Sequence, residues 1–357
     1  MNEAESERIA AALEKEGFQL AKKIEESDLV IINTCSVRQS AEDRVFGLIK
    51  NLSEQKEKPK IILTGCMVGS VTGNRRRFGL KELKRKLPQV DEFIEIEKLV
   101  GSFKGIFPPS HKASADKHAF VPIMKGCDNF CTYCVVPYSR GQEKSRLFDE
   151  IVEEVECLAK KGYRHITLLG QNVNSYQNSK FKIKNAKLQC KIQNLRKKYN
   201  NNFAVLLAFL HEIQEIEKIS FITSNPWDLT DDIIEAMELP KIDRCLHLPV
   251  QSGDDKILQR MNRPYTVKQY MKLVEKIRRK IPDIKISTDI IIGFPGETKK
   301  AFENTVKLCK KVGFEKAYIA KYSPRQGTAA YKMKDSVLHQ EKKRRWKILD
   351  SLINQSG

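Results

Sequence analysis

Three cysteines lie within eight residues of one another in the run KGCDNFCTYCVVPYSRG (125–141), at the spacing C-x3-C-x2-C. Structural zinc sites take four ligands, usually in paired C-x2-C spacings, whereas this run has one such pair and no fourth ligand nearby. Iron–sulfur clusters are normally held by four thiolates, so Cys127, Cys131 and Cys134 would leave one iron with an open position for a substrate. The spacing therefore favours an iron–sulfur cluster over zinc. It also favours a cluster over three unrelated buried thiols, because chance rarely brings three cysteines so close.

Two further cysteines follow candidate strands near the start of the chain. Cys35 comes just after the apolar run LVIIN (29–33), and Cys66 just after KIILT (60–64). Unbroken apolar runs of this length are typical of parallel strands buried on both faces. Ligands bind at the carboxyl edge of such sheets, so both thiols are candidates for one site, here predicted to bind metal. The alternative is that each is a small buried apolar residue.

A regular alternation of strands and helices after residue 118 predicts a partial barrel of six parallel strands, since right-handed βα units arrange themselves in this way. Polar residues follow three of the strands: Gln171 and Asn172 the second, Gln251 and Ser252 the fourth, and the run GFPGE (293–297) the fifth. Barrels of this kind carry their chemistry at the carboxyl ends of the strands. The predicted strands are 119–124, 165–169, 218–223, 245–250, 284–292 and 316–321.

The predicted fold class is α/β, with an open parallel-sheet domain at 1–105 and a linker at 106–118. A partial (β/α)6 barrel of the TIM type follows at 119–340, and a charged helix lies within 341–357. The segment 177–202 is polar and basic without clear periodicity, and we interpret it as an inserted mobile loop.

Charge points to a polyanionic partner. Lys and Arg number 64 against 45 Asp and Glu, a net charge of +19. The excess is local, with eight basic residues and no acid in 177–202, and seven against one in 75–86. RNA or DNA is favoured over a membrane surface. The chain has no long apolar run and an acidic start, MNEAESERIAAALEKEG, which together predict a cytoplasmic protein with no membrane partner.

The cysteine spacing, with Tyr133 before the third cysteine, resembles the radical S-adenosylmethionine (SAM) superfamily. Further segments resemble the MiaB-type tRNA methylthiotransferases within it, and GQNVNSY and NTCSVR are more similar to the isopentenyladenosine branch than to the ribosomal-protein or threonylcarbamoyladenosine branches. The resemblance covers nearly all of the chain except 177–202. The segments are INTCSVRQSAEDRVFG (32–47), TGCM (64–67), SRGQEKSR (139–146), LLGQNVNSY (168–176), LPVQSGDDKILQRMNRPYT (248–266) and TDIIIGFPGET (288–298).

This resemblance implies an enzyme that replaces the C2 hydrogen of N6-isopentenyladenosine, next to the anticodon, with a methylthio group. The implied cofactors are SAM and two 4Fe-4S clusters. One cluster is held by Cys127, Cys131 and Cys134 and binds SAM, and the auxiliary one is held in part by Cys35 and Cys66. Arg140 and Glu143 either order SAM or cap the cysteine loop. The implied cofactor-binding residues are Tyr133, Arg140, Glu143, Gln171, Asn172, Gln251, Ser252, Asp289 and Gly293.

The implied partners are the tRNA anticodon loop, a reduced electron donor of the flavodoxin or ferredoxin type, and a sulfur donor. Two departures from the family pattern qualify this expectation. The family's first auxiliary cysteine precedes a Met-Asn pair, and this chain opens at Met1-Asn2. The family's C-terminal RNA-binding barrel, the TRAM domain, is not expected within 341–357. The rival interpretations are another branch of the family and an impaired tRNA-binding or cluster-carrying remnant.

Overall fold

The computed structural model describes residues 1–100, 117–177 and 186–355. The strands are β1 (Leu29–Thr34), β2 (Lys60–Gly65), β3 (Glu92–Phe93), β4 (His118–Pro122), β5 (Met124–Lys125), β6 (Lys144–Ser145), β7 (His165–Leu169), β8 (Lys218–Phe221), β9 (Cys245–His247), β10 (Lys285–Ile292) and β11 (Lys316–Lys321). The helices are α1 (Asn2–Lys15), α2 (Gln39–Ser53), α3 (Cys66–Thr72), α4 (Leu80–Lys86), α5 (Ile96–Val100), α6 (Val136–Ser139), α7 (Phe148–Lys160), α8 (Ala186–Lys198), α9 (Asn202–His211), α10 (Asp231–Met237), α11 (Asp255–Arg260), α12 (Val267–Lys280), α13 (Lys299–Val312) and α14 (His339–Ile353). Within the described ranges, every helix is too short or too polar to cross a lipid bilayer.

The N-terminal unit is a parallel sheet in the order β1-β2-β3, with helices packed on it. Ile61 and Leu63 of β2 are buried with apolar residues of α2 and α3, which explains the unbroken apolar run in the sequence. Thr34 pairs with Gly65 at the carboxyl ends of β1 and β2. Cys35 and Cys66 follow these two residues directly, so the structure confirms that both thiols reach one edge of the sheet.

The second unit contains two parallel sheets, β4-β7-β8 and β9-β10-β11. A parallel bridge between Ile219 of β8 and Ile242, just before β9, joins the two sheets. The six strands therefore lie side by side in the order β4-β7-β8-β9-β10-β11, which is also their order in the chain. Burial alternates along β10, where Ile286 and Ile290 pack in the apolar core and Asp289 faces the more open side. The α/β class and the partial barrel predicted from the sequence are confirmed.

Three predicted strands are shorter than the apolar pattern indicated, among them 218–223, which ends at Phe221. The segment 119–124 divides into β4 and β5, because β5 leaves the barrel to pair antiparallel with β6. The segment 245–250 is a strand only to His247. Pro249 has no N–H to donate, and the amide of Val250 donates instead to the Thr288 hydroxyl at 2.9 Å.

The prediction that 177–202 is a loop is wrong for its second half. The helix α8 spans Ala186–Lys198, with Ile192 buried against the core and Leu195 packed on it, three residues apart and therefore on one face. Lys191 pairs with Glu212 and Lys198 with Glu235, so acids outside the segment neutralise part of its charge. Residues 178–185 of the insert and 106–116 of the predicted linker lie outside the described residues.

The two units meet through close backbone contact and buried charge. A Cβ atom added to Gly69 of α3 would lie 2.0 Å from the carbonyl oxygen of Ser139 in α6, so only glycine permits this approach. Nearby, Arg8 of α1 donates to Glu154 of α7 at 2.7 Å, and both side chains are almost fully buried. A buried charge that loses its partner is costly, so this contact helps to hold α1 in a defined place on the barrel.

Candidate functional site

The cysteine loop spans residues 126–143, between β5 and β6. The antiparallel pairing of these strands closes its neck, and the amide of Cys127 donates to the carbonyl of Gly141 at 3.2 Å. Gly126 has a φ of +78°, and a Cβ there would lie 2.1 Å from the carbonyl oxygen of Gln142. Glycine is therefore required at the neck. The loop presents three thiols from a short, tied segment.

The three thiols lie in a low-dielectric environment and influence one another. Burial raises the pKa of Cys127 to about 11 and that of Cys134 to about 12, and the neighbouring Cys131 adds to both shifts. Both thiols are therefore protonated at neutral pH in the protein alone. A positively charged metal centre would displace these protons, because the thiolate is the form that binds metal.

The donor set fits an iron–sulfur cluster better than a single ion. Across residues 1–100, 117–177 and 186–355, no three His, Cys, Asp or Glu side chains are arranged to hold one metal ion. A cluster of four irons attaches each thiolate to a different iron, so its ligands stand farther apart than those of one ion. Cys127, Cys131 and Cys134 on one loop supply three of the thiolates with which such clusters are normally held.

Sequence reasoning missed Arg263, which lies against the cysteine loop. Its Nη1 is 3.5 Å from the Sγ of Cys131, and its Nη2 donates to the carbonyl of Pro249 at 2.9 Å. The guanidinium stacks 4.4 Å from the centre of the Trp227 ring. Burial opposes its charge, but the neighbouring Tyr133, Tyr265 and Cys131 raise its pKa. Among the described residues no carboxylate forms a salt bridge with it, so a buried cation faces the thiols. The sequence signal for Arg263 is its place in the run QRMNRPYT (259–266), within a segment that resembles the family.

Buried polar atoms without hydrogen-bond partners gather at the carboxyl ends of three successive barrel strands. They are Oε1 of Gln171 after β7, Oγ of Ser224 after β8 and Oε1 of Gln251 after β9, as judged over the described residues. Buried polar atoms are rarely left unpaired, so these three are suited to a polar ligand. Thr223 and Gln251 also have positive φ values, 77° and 66°, and strain of this kind collects at functional sites. The residues present therefore fit a polar cofactor such as SAM.

Other predicted cofactor residues are engaged with protein partners. The side chain of Asn172 donates to Asp228 at 2.6 Å and accepts from the amide of Asn225 at 3.1 Å. Glu143 accepts from the hydroxyl of Ser175 at 2.7 Å, and burial raises its pKa. These contacts order the segment after β7, and the assignment of Asn172 and Glu143 to SAM stays a prediction.

The remaining predicted residues surround the same end of the barrel. Asp289 lies 3.2 Å from Nε2 of His247, and the hydroxyl of Ser252 accepts from the amide of Asp254 at 3.3 Å. Tyr133 packs with a small apolar group that includes Phe294. The amide of Gly293 donates to Glu297 at 2.6 Å, and Lys342 of α14 packs so closely that a Cβ at Gly293 would lie 2.5 Å from its side chain. Their contact with a cofactor is untested.

Arg140 points away from the barrel and into the N-terminal unit. It forms a buried ion pair with Glu5 and donates a hydrogen bond to the side-chain oxygen of Asn2 at 2.9 Å. Its charge also interacts with the Cys66 thiol. Burial raises the pKa of Cys66, whereas the Arg140 charge opposes that shift. A cavity of about 700 Å³ between the units has Met1, Cys66 and Arg140 in its wall. Arg140 thus lies beside Cys66 of the Cys35/Cys66 pair, and its predicted role at SAM stays a prediction.

Two family models match the chain. The model of the radical SAM superfamily matches residues 121–309, which contain the cysteine loop and most of the barrel. A model described as an uncharacterized protein family, UPF0004, matches residues 1–94, which form the sheet that carries Cys35 and Cys66.

Curated relatives and solved structures agree with this architecture. A tRNA-2-methylthio-N(6)-dimethylallyladenosine synthase from Thermotoga petrophila is 40% identical over 99% of this chain and 79% of its own length. One from Clostridium novyi is 41% identical over the same shares. In fold, the chain is similar to the radical SAM methyltransferase TsrM from Kitasatospora setae, with a TM-score of 0.55, 14% identity, and coverage of 91% of this chain and 73% of that one.

Proposed function

We propose a function for this chain, which belongs to the radical SAM superfamily and, within it, to the family of tRNA-2-methylthio-N(6)-dimethylallyladenosine synthases. We propose that it shares their reaction and replaces the C2 hydrogen of N6-dimethylallyladenosine in tRNA, next to the anticodon, with a methylthio group. The observation that carries this proposal is the fixed loop of three thiols with a buried arginine against it, at the end of a radical SAM barrel.

The chemistry demands a cofactor of this kind. The C2 hydrogen of adenine is not acidic enough for a side-chain base, and the carbon is a poor electrophile, so general acid–base catalysis cannot replace it. When bound, the cluster and SAM supply a radical that removes the hydrogen atom, and a second SAM supplies the methyl group. The protein's own task is to hold these groups in place and to exclude competing reactions.

We assign the holding of the cluster to Cys127, Cys131 and Cys134, and the reception of SAM to the polar atoms at the strand ends. Gln171, Ser224 and Gln251 offer hydrogen-bonding oxygens that the described protein leaves unused. Arg263 offers a buried positive charge beside Cys131, which suits either the anionic cluster or a carboxylate of the cofactor. Gln171, Ser224 and Gln251 lie just after barrel strands, and sites built on such rigid elements position side chains more precisely than free loops do.

Sulfur delivery is assigned to the edge at which Cys35 and Cys66 meet. Burial raises the pKa of Cys66 and the Arg140 guanidinium offsets this only in part, so a bound metal would displace the thiol proton. We further propose a reduced electron donor of the flavodoxin or ferredoxin type, because SAM cleavage consumes an electron. A separate sulfur donor is required because the methyl group accounts for only part of the added methylthio.

Nucleoside analysis of tRNA tests this function. Expression of the chain in a host that lacks its own methylthiotransferase is expected to convert N6-dimethylallyladenosine into a nucleoside heavier by one sulfur and one CH2. Hydrolysed tRNA would be compared by liquid chromatography and mass spectrometry with tRNA from cells that carry the Cys127→Ala variant. Modification of threonylcarbamoyladenosine instead would place the chain in another branch, and unchanged tRNA would refute the proposal.

The basic segment 75–86 is proposed to contact the tRNA backbone. Arg75, Arg77 and Lys86 are paired with Asp128, Glu42 and Glu82, whereas Lys84 and Arg85 on α4 are exposed and form no salt bridge within the described residues. Replacing both with glutamine is expected to reduce the slope of log affinity against log salt by about 1.4 to 1.8, since each phosphate contact contributes about 0.7 to 0.9.

The matched control replaces Lys310 and Lys311, two adjacent exposed lysines at the end of α13. The affinity for a tRNA stem-loop would be measured by fluorescence anisotropy between low and moderate salt. Equal slopes for the Lys84/Arg85 variant and the unaltered chain would remove α4 from the tRNA contact. An equal loss in the Lys310/Lys311 variant would indicate a general effect of charge.

A further inference from the structure

One segment of the barrel unit contacts both cysteine-bearing regions. It comprises residues Tyr322–Met333, directly after β11, and is called the bridging segment here. None of the cofactor residues named above lies in this segment. Its two ends face different parts of the molecule, and the contacts at each end are specific.

At its first end, Arg325 enters the N-terminal unit. Its side chain is 5% exposed, and its Nη2 donates to the carbonyl of Ser36 at 2.6 Å. The same guanidinium also binds Gln39 and Glu42 of α2. Ser36 follows Cys35 in the chain, so the arginine fixes the backbone immediately beside a predicted ligand of the auxiliary cluster.

At its second end, the bridging segment binds the cysteine loop of the barrel. The amide of Ala330 donates to the carbonyl of Thr132 at 2.8 Å, and Ala330 is fully buried. Thr132 follows Cys131 in the chain. The hydroxyl of Tyr322 donates to the carbonyl of Ala330 at 2.8 Å and so fixes Ala330 from behind.

The connection between the two ends is short and rigid. Ala330 lies five positions after Arg325, a reach of at most about 17 Å even when fully extended. The Thr328 hydroxyl and amide both bind the Arg325 carbonyl, at 2.7 and 3.1 Å, which folds the connection into a turn. Gly327 has a φ of +86°, and a Cβ there would lie 2.9 Å from the Cβ of Arg77, so the turn also packs tightly on the N-terminal unit.

We infer that the bridging segment sets the position of the Cys35 region relative to the Cys131 loop, with Arg325 as its positioning residue. The inference rests on the proposed function, in which hydrogen is removed at the barrel and sulfur comes from the N-terminal unit. The radical and the sulfur must both reach the same carbon atom. If the two regions move apart, hydrogen can still be removed but sulfur is no longer delivered to that carbon. Removal of hydrogen by itself requires only the barrel.

Arg325→Gln is therefore expected to uncouple the reaction. The variant should release deoxyadenosine from SAM at close to the unaltered rate per bound cluster. The yield of methylthio nucleoside per deoxyadenosine should fall by about tenfold to a hundredfold, because displacement of reacting groups by ~1 Å can cost that much. The matched control is Arg8→Gln, which also removes a buried arginine from the interface between the units, but one that pairs with Glu154 of α7.

Hydrogen exchange of the cluster-free protein supplies a readout that does not depend on catalysis. Arg325→Gln should accelerate exchange of the amides in 36–42 and also in 130–134, because the contacts of Ala330 loosen when the turn loses its anchor. Arg8→Gln should accelerate exchange in α1 and α7 alone. If Arg325→Gln does not fold, Glu42→Gln weakens the same contact from the other side and carries the same expectation.

An unchanged product ratio in the Arg325 variant would overturn the inference, as would an equal fall in the Arg8 variant, which would indicate a general need for a stable interface. If exchange becomes faster in 36–42 alone, the inference that the bridging segment connects the Cys35 region to the Cys131 loop is wrong. If the unaltered chain forms no methylthio nucleoside, the proposed function fails, and the exchange measurement still decides whether the bridging segment joins the two regions.

Discussion

The Cys131→Ala protein is expected to lose both its SAM-binding cluster and its release of deoxyadenosine. Cys131 is buried in the middle of the loop that also carries Cys127 and Cys134. A site with three protein ligands keeps one iron open for SAM, so the loss of any ligand leaves two, too few to hold a cluster in a defined place. Activity should fall to background. The measurements are iron content, the visible absorption of protein purified without oxygen, and chromatography of SAM products after reduction.

Cys157→Ala is the matched control for that experiment. Cys157 lies on α7, half-buried, and is most simply a packing residue. Its replacement should leave cleavage of SAM intact and cost only a small loss of stability. Full activity in a variant that lacks Cys127, Cys131 and Cys134 would refute the assignment of the loop.

Arg263→Leu is expected to weaken SAM binding by about 10-fold to 150-fold, since a hydrogen bond to a charged group contributes about 1.5–3 kcal/mol. The physical reason is that the guanidinium is buried, stacked on Trp227, and forms no salt bridge within the described part of the chain. Leucine preserves the apolar packing but removes the positive charge. Equilibrium binding of SAM to the cluster-loaded protein would measure the effect.

Arg263→Lys separates charge from shape. Lysine keeps a positive charge but lacks the planar guanidinium that stacks on Trp227 and reaches Pro249 and Cys131 together, so an intermediate affinity is expected. Iron content must be equal in all three proteins for the comparison. Unaltered SAM affinity in Arg263→Leu, with its full complement of iron, would show that the arginine serves only to pack the loop.

The sequence predicted the first two strands well because each is an apolar run bounded by polar residues. The runs LVIIN and KIILT became β1 and β2, and their order in a parallel sheet brought Cys35 and Cys66 to one edge. The C-x3-C-x2-C spacing and its place after the first barrel strand were equally visible. These features are local, and local patterns are what a sequence displays directly.

What the sequence could not reveal are contacts between residues distant in the chain. Arg140 was expected to order SAM or to cap the cysteine loop because it lies close to the cysteines in sequence, and nothing local indicated its ion pair with Glu5, 135 residues away. α8 escaped notice because, from Gln189 onward where burial is described, Ile192 and Leu195 mark its inner face, and the ion pairs to Glu212 and Glu235 come from other helices. Arg263 reaches Cys131 across 132 residues.

The buried arginines between the two units also bear on how such proteins can be recombined. Arg8 and Glu154, Arg140 and Glu5, and Arg325 and Glu42 each join one unit to the other through charges shielded from water. In a barrel joined to a foreign N-terminal sheet, Arg140 and Arg325 would lose these counterions, at a cost of several kcal/mol for each, whereas Glu154 would keep its pair with Arg146. Exchange of either half between related enzymes therefore requires that the pairs be exchanged together, so the units are inherited as a matched set.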